Sequence, residues 1–285
     1  MVHRIQENGE GIVNSTIPTT TQPKAGSTPV ARLEVQGLAK TYGHGPKSVE
    51  VIKDLTFSIH AGEVVCIVGP SGVGKTTLLK CLAGLQPSSG GTMKIDGHQV
   101  SGPPAEMALV FQDYSRSLMP WLTVEKNLLL PLRHLHLPAA EVRTRIEEAL
   151  NEVGLSHAAK RYPWQLSGGM QQRVAIARAL AYRPEILIMD EPFASVDAQT
   201  RFDLEDLCLK IRDELGMTIL LVTHDIDEAV YLSDRIVAIG NKPAQVLEVL
   251  PVDLPQPRNQ ITSRALPEFS GLRTKVLSLI RQSES

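Results

Sequence analysis

One short segment, GPSGVGKT from Gly69 to Thr76, constrains the fold of this chain more than any other. It follows the apolar run EVVCIVG, opens a stretch of helical periodicity, and matches the pattern G-x-x-x-x-G-K-[ST]. In such a strand–loop–helix unit, backbone N–H groups and the helix dipole bind phosphate, whereas a purely connecting glycine-rich turn is the weaker alternative. We expect Lys75 to neutralise the β- and γ-phosphates and Thr76 to ligate Mg²⁺. The predicted nucleotide-binding residues here are Gly69, Pro70, Ser71, Gly72, Val73, Gly74, Lys75, Thr76 and Thr77.

The pattern of apolar and polar residues along the rest of the chain predicts two kinds of sheet. The segments ARLEVQGL, LTFSIHAG and TMKIDGHQV alternate apolar and polar residues, as strands of an antiparallel sheet do. The runs EVVCIVG, EILIM, TILLVT and RIVAIG are typical of strands buried on both faces. Helical patterns cover residues 118–183 and the segment from Pro267 to Gln282. We therefore expect an α/β fold with a parallel-sheet core, an antiparallel β subdomain and an inserted α-helical subdomain.

Polar residues directly follow four apolar segments. They are the loop that starts at Gly69, then Gln112, the pair Asp190 and Glu191, and His224. Because ligands of parallel α/β sheets bind beyond the carboxyl ends of the strands, we expect these residues to share one edge. Taken singly, each has a structural alternative, since carboxylates cap helices and a lone glutamine or histidine is commonly structural.

The chemistry of these residues predicts a hydrolytic site for a nucleoside triphosphate. Asp190 and Gln112 are the expected Mg²⁺ ligands beside Thr76. Glu191 is the expected general base for an attacking water, and His224 would contact the γ-phosphate. Lys75, Gln112, Glu191 and His224 are thus the predicted catalytic residues.

The stretch LSGGMQQRVAIARAL, residues 166–180, places two glycines at the head of a predicted helix. Each glycine inside a helix costs about 1 kcal/mol relative to alanine, so their presence needs a reason. Ser167 is a good N-cap, and Gly168 and Gly169 leave the first-turn amides open to an anion. Since the phosphate loop already covers one face of a triphosphate, we expect this second anion site to serve the nucleotide of another chain in a head-to-tail pair.

Composition narrows the class of protein. A net charge of −2 argues against nucleic acid as a partner, because nucleic-acid binding usually needs a clustered basic excess. No apolar run approaches the roughly 18 residues that cross a bilayer. Residues 1–30 are rich in Thr, Ser, Pro and Gly and are predicted to form a disordered leader. The three cysteines, Cys66, Cys81 and Cys208, are expected to be small buried hydrophobic residues.

Together these motifs resemble, in order, those of the ATP-binding cassette (ABC) ATPases. The resemblance covers about residues 31–282 and includes the loop at Gly69, Gln112, LSGGM at 166–170, DEP at 190–192, SVD at 195–197 and His224. It implies a P-loop NTPase (RecA-like) core that binds ATP and Mg²⁺ in one nucleotide-binding domain, residues 31–285. It further implies that Tyr42 stacks on adenine and that Val196 and Asp197 lie at the dimer seam, with Asp197 among the nucleotide-binding residues.

Finer details resemble the ATPase subunits of bacterial importers for nitrate, sulfonates and taurine. The segments LMPWLTVEKNLLLPL and DEPFASVDAQTR are similar to theirs, whereas Lys242-Pro243-Ala244-Gln245 replaces their usual Arg-Pro-Gly-Arg. The resemblance implies a second ATPase subunit, transmembrane permease subunits and, indirectly, a substrate-binding protein as partners. It places the chain at the cytoplasmic face of the inner membrane through the permease. Trp121 would either dock on that permease or fill the helical subdomain.

Two other functions are alternatives to the ATPase subunit of a transporter. A soluble ABC ATPase of translation or chromosome maintenance would have tandem cassettes or long coiled coils, and the sequence has one contiguous cassette. A small-molecule kinase would use the phosphate loop but would not explain the Ser-Gly-Gly helix.

Overall fold

The computed structural model describes residues 31–113, 117–194 and 196–283, so the predicted leader and Ser195 lie outside the described residues. The strands are β1 (Ala31–Tyr42), β2 (Val49–His60), β3 (Val64–Val68), β4 (Gly90–Ile95), β5 (His98–Gln99), β6 (Met107–Val110), β7 (Ile186–Asp190), β8 (Thr218–Thr223), β9 (Arg235–Gly240) and β10 (Gln245–Pro251). The α-helices are α1 (Lys75–Leu82), α2 (Val124–Leu132), α3 (Ala139–Glu152), α4 (Gly168–Ala181), α5 (Ala198–Leu215), α6 (Ile226–Leu232) and α7 (Pro267–Gln282). Short 3-10 turns occur at Gly45–Lys47, Ser156–Ala158 and Pro163–Gln165.

The alternating segments form an antiparallel sheet in the order β2-β1-β4-β5. Alternation is what such a sheet requires, because successive side chains of a strand point to opposite faces. In β1, Leu33 and Val35 are buried while Gln36 is exposed. The prediction of a separate antiparallel sheet is therefore confirmed.

The continuously apolar runs form the second sheet, in the order β10-β9-β3-β8-β7-β6. Its pairings are parallel except for that of β9 with β10. Every residue of β3, β7 and β8 is buried, as expected for strands covered on both faces. The sequence prediction missed β10, because this edge strand is mostly half-buried and lacks both a continuous apolar run and a clean alternation.

Two hydrophobic cores flank the second sheet. Alternate residues of β3 point into different cores: Cys66 packs with the helices of residues 118–232, and Val65 and Ile67 pack with α1 and the antiparallel sheet. All three cysteines are buried and unpaired, as predicted. The fold is thus a layered α/β structure in which one buried sheet organises both cores.

Helices α2, α3 and α4 lie in the region predicted to be helical, and α7 has the predicted bounds. On α3, Leu150 is buried, and Val142 and Ile146 are half-buried against the same core. The division of the chain into subdomains stays a prediction. Within the described residues, none of the helices combines the length and apolarity needed to cross a bilayer.

Gly84, which follows α1, adopts φ +67° in the left-handed region. A Cβ added there would lie 2.1 Å from the carbonyl carbon and oxygen of Gly102, a distance that backbone atoms cannot accommodate. Gly97 has a similar φ of +77°, but a Cβ there would meet nothing within 4 Å. A substitution at Gly97 therefore tests the backbone conformation alone, whereas a substitution at Gly84 tests the conformation together with the contact to Gly102.

We expect Gly97→Ala to lower the free energy of unfolding by about 1 kcal/mol, the cost of a left-handed backbone at a residue with a Cβ. We expect Gly84→Ala to lower it by about 3 kcal/mol or more, because the backbone near Gly102 must also move. Urea unfolding of both variants measures the difference. Equal losses would show that the contact with Gly102 relaxes without cost.

Candidate functional site

The parallel sheet brings four predicted polar segments to one edge. The register pairs Val68 with Thr223, Asp190 with Val222 and Val110 with Met189. The residues that follow β3, β8, β7 and β6 therefore emerge side by side. This edge carries the phosphate loop, His224, Glu191 and Gln112, as predicted from the polar residues that directly follow the apolar segments.

Glu191 is the centre of this group. Gln112 Nε2 donates a hydrogen bond to Glu191 Oε2 at 3.1 Å, and His224 Nδ1 lies 3.1 Å from the same oxygen. Lys75 Nζ is 3.8 Å from the other oxygen, Oε1. The Glu191 side chain is only 17% exposed, whereas that of His224 is 54% exposed. The carboxylate is therefore partly shielded from water and held by groups from three other segments.

The backbone at Glu191 is itself unusual. Its φ of +44° lies in the left-handed region, which costs about 1 kcal/mol or more at a residue that is not glycine. The Glu191 N–H donates to the Val222 carbonyl at 2.8 Å, which extends the pairing of β7 with β8 by one residue. This bond holds the turn in place, and the turn directs the carboxylate toward Gln112 and His224.

Lys75 opens α1 and is buried. Its Nζ donates to the carbonyl oxygens of Gly69 at 2.9 Å and Pro70 at 3.1 Å. Burial lowers the Lys75 pKa, and the carboxylates of Glu191 and Asp190 oppose that shift. The N-cap of α1 is Gly74 at φ +116°, which offers no side chain to bond the first-turn amides. Because the first N–H groups of a helix lack intrahelical partners, these amides suit an anion.

Asp190 and Thr76 provide adjacent oxygen atoms. Burial raises the Asp190 pKa, and Glu191 raises it further, while a hydrogen bond from the Thr76 side chain and the charge of Lys75 lower it. The described residues include no group of three or more His, Cys, Asp and Glu that could hold a metal. Carboxylate and hydroxyl oxygens of this kind fit Mg²⁺, which keeps several waters and binds through few protein ligands together with phosphates.

Sequence reasoning missed the residues that hold the turn around His224. The Asp225 N–H donates to Thr223 Oγ1 at 2.9 Å, and the Thr223 hydroxyl donates to Glu228 Oε2 at 2.6 Å. Arg201 lies 3.3 Å from Asp225 and 3.8 Å from Glu228. The Asp225 side chain also caps α6. The signal that could have found these residues is the acidic first turn of a helix directly after His224.

Ser167 and Asp197 begin two adjacent helices. Ser167 Oγ accepts from the Met170 N–H at 3.3 Å and caps α4, as predicted. Asp197 caps α5 through the Thr200 N–H at 3.0 Å and accepts from the Thr200 hydroxyl at 2.7 Å. These bonds lower the Asp197 pKa. The structure therefore places the N-terminus of α4 beside the Asp197 turn.

Gly169 has a role within its own chain that the sequence did not reveal. A Cβ at Gly169 would lie 2.2 Å from Thr200 Cγ2. The helix thus needs a glycine there so that α5 can pack against it, in addition to any need for an open first turn. Gly168, one residue earlier, is exposed.

Two predicted aromatic residues are placed clearly. Tyr42 is 39% exposed at the end of β1, and its hydroxyl donates to Gln86 Oε1 at 2.9 Å and lies 3.4 Å from Thr77 Oγ1. Trp121 is 71% exposed, so the alternative that it fills a core of the helical segment is wrong. Val196 is partly buried against the core that contains Cys66 and the helices of residues 118–232.

Comparisons with known proteins agree with this geometry. The family model described as "ABC transporter" matches residues 52–194. The chain is 44% identical to the aliphatic sulfonates import ATP-binding protein SsuB of Bacillus licheniformis, covering 89% of this chain and 96% of that protein. It is 46% identical to the nitrate import ATP-binding protein NrtC of Synechococcus elongatus over 81% of this chain, but spans only 35% of that longer protein.

A solved structure shows the same fold. It is the dimeric structure of a post-hydrolysis state of the ATP-binding cassette MJ0796 bound to ADP and Pi. Its TM-score with this chain is 0.67 at 33% identity, covering 77% of this chain and 98% of that one. The predicted P-loop NTPase fold is thereby confirmed.

Burial raises the Glu228 pKa to about 7, although Thr223 and Arg201 favour its ionised form. A raised pKa contributes stability that is present below the unfolded-state pKa and is lost as the pH rises through about 7. Because glutamine cannot ionise, we expect Glu228→Gln to be spared this loss. The free energy of unfolding of the variant, minus that of the original chain, should therefore increase by about 2 kcal/mol from about pH 5 to about pH 8.

Urea unfolding at both pH values checks this expectation. The same change at Glu214, an exposed carboxylate on α5, is the matched control and should show no such gain. A constant difference between the Glu228→Gln variant and the original chain at both pH values would contradict the assignment.

Proposed function

The chain belongs to the ABC transporter family, and on that premise we propose that it is the ATP-hydrolysing motor subunit of a bacterial importer. The observation that carries the hydrolytic activity is the position of Glu191, which lies between Lys75 of the phosphate loop and the side chains of Gln112 and His224. Those contacts join the expected phosphate ligand and the expected base in one partly shielded site. The importer role rests on the named relatives. No observation favours the alternative of an ABC ATPase without a transport role.

The proposed chemistry follows from the side chains at this edge. Lys75 and the first-turn amides of α1 bind the β- and γ-phosphates, and Thr76, Asp190 and the Gln112 amide oxygen would hold the nucleotide's Mg²⁺. When bound, Mg²⁺ neutralises charge that develops on the phosphates. Glu191 orients a water and accepts its proton as the water oxygen bonds to the γ-phosphorus and the bond to the β-phosphate oxygen breaks. Gln112 and His224 hold the Glu191 carboxylate in place for that step, and His224 would also contact the γ-phosphate.

The second proposed element of the site comes from another chain. Ser167, Gly168 and Gly169 offer an open helix N-terminus beside Asp197, which suits the face of a triphosphate that the phosphate loop leaves uncovered. A dimeric relative of the same fold supports this arrangement. Two copies of this chain, or this chain and a similar subunit, would then close around ATP and separate after hydrolysis.

The proposed cargo is a small anion such as nitrate, a sulfonate or taurine. This class rests on the named functions of the relatives, one an aliphatic sulfonate importer subunit and one a nitrate importer subunit. Transmembrane permease subunits would hold the chain at the cytoplasmic face of the membrane and receive the motion, with a substrate-binding protein as an indirect partner. The exposed Trp121 is the proposed docking residue, because exposed aromatic side chains are enriched at protein interfaces.

We expect Glu191→Gln to lower steady-state ATP hydrolysis by about a hundredfold or more, because the amide cannot accept the proton of the attacking water. ATP should still bind, so a dimer should accumulate. Phosphate release and light scattering at saturating MgATP measure the two effects. Glu268→Gln, at an exposed residue of α7, is the control and should hydrolyse ATP normally. Normal turnover by the Glu191 variant would remove Glu191 from the role of base.

We expect Ser167→Arg to impair ATP hydrolysis while nucleotide binding to the single chain stays intact. The bulk and charge of the arginine would obstruct the face offered to a second copy, and loss of the α4 cap costs about 1 kcal/mol away from the phosphate loop. Turnover and the dissociation constant for ADP, measured on the same preparation, separate these effects. Ser270→Arg, on the exposed face of α7, is the control. Loss of ADP binding by the Ser167 variant would mean that the α4 N-terminus serves its own chain's nucleotide.

A further inference from the structure

The contacts around Tyr42 extend beyond the expected nucleotide site. Lys40 lies two residues earlier on β1, and its Nζ is 5.1 Å from the centroid of the Tyr42 ring. Lys40 is 8% exposed, and its Nζ donates to the Pro87 carbonyl oxygen at 2.6 Å. A cation at this distance from a ring is attracted to it, and the attraction is stronger when the cation is withdrawn from water. Lys40 therefore holds the ring through an interaction that depends on its charge.

The hydroxyl end of Tyr42 is held separately. It donates to Gln86 Oε1 at 2.9 Å and lies 3.4 Å from Thr77 Oγ1 on α1. A ring that is held at its hydroxyl and by a cation has little freedom to rotate about its side-chain torsions. Because 39% of the residue remains exposed, the ring still offers surface to a ligand.

Residues 86–89 supply these contacts and also connect them to the phosphate loop. The Ser89 N–H donates to the Ala39 carbonyl at 2.8 Å, and Ser89 Oγ accepts from the Thr41 N–H at 2.9 Å. The Gln86 N–H donates to the Lys80 carbonyl on α1 at 3.1 Å. The short segment therefore fixes the end of β1 relative to the helix that begins in the phosphate loop.

We propose that Lys40 and Gln86 are positioning residues that hold the Tyr42 ring as a preformed platform for the base of the nucleotide. The proposal rests on the proposed nucleotide site and goes further, because it assigns base affinity to two residues outside the binding motifs. A platform that is ordered before binding costs the ligand less conformational entropy when it stacks. Lys40 and Gln86 then influence the affinity for the base and leave the affinity for the phosphates unchanged.

The experiment compares ADP with pyrophosphate, which carries phosphates but no base, by isothermal titration of the full chain. We expect Lys40→Met to weaken ADP binding about fivefold to tenfold and to leave pyrophosphate binding unchanged. Lys40→Arg keeps a cation over the ring and should restore most of the ADP affinity. Gln86→Leu should weaken ADP binding about twofold to fivefold through loss of the tyrosine hydrogen bond. Lys94→Met, on β4 of the same sheet, is the control and should match the original chain.

A double-variant cycle tests whether Lys40 acts through the ring. In a Tyr42→Ala chain, Lys40→Met should cause no further loss of ADP affinity. An equal loss with and without Tyr42, an unchanged ADP affinity in the Lys40→Met chain, or an equal loss of pyrophosphate affinity would each overturn the proposal.

The proposed function fails in a different way. If Lys75→Ala left both ADP and pyrophosphate affinities unchanged, the phosphate-loop assignment would be wrong, whatever the Lys40 variants show.

Discussion

The site depends on the parallel hydrogen-bonded ladder of β3, β8, β7 and β6. Its register sets Val68 beside Thr223 and Asp190 beside Val222, so the segments that follow these strands emerge together. A slip of one residue would shift a segment by about 3.3 Å and turn its side chains to the opposite face. Burial of β3, β7 and β8 on both faces prevents such a slip, because each face must match a different hydrophobic core. Packing of the sheet is therefore what aligns Lys75, Glu191 and His224.

That rigid frame also carries groups that are unfavourable in themselves. Glu191 has a left-handed backbone, burial lowers the Lys75 pKa, and burial raises the pKa of both Asp190 and Glu228. Shifts and strain of this kind concentrate at functional sites, where the charged or strained state is the one that acts. The two cores supply the stability that offsets them. Mutations that weaken the cores should therefore reach the site indirectly, through its geometry.

Helix α5 connects the two parts of the proposed composite site. Its first turn contains Asp197 as the cap and Thr200 packed against Gly169 of α4. The same turn ends at Arg201, which lies 3.3 Å from Asp225, the residue after His224. Thr200 and Arg201, neighbours in this turn, thus contact both the proposed surface for a second copy and the proposed nucleotide-binding edge.

The sequence by itself determined most of the elements, the family resemblance and the identity of the polar residues at the sheet edge. Periodicity and glycine positions carried that information, because both are local properties of the chain. Only the tertiary structure decided which oxygen of Glu191 faces Lys75 and that Trp121 is exposed. It likewise revealed that Gly169 accommodates Thr200, that Lys40 and Gln86 contact Tyr42, and that Arg201 lies beside Glu228. Most of these features depend on how residues distant in the sequence pack together, and β10 was missed for the same reason, since an edge strand is defined by its partner. Local patterns specify which element forms, whereas packing specifies which side chains meet.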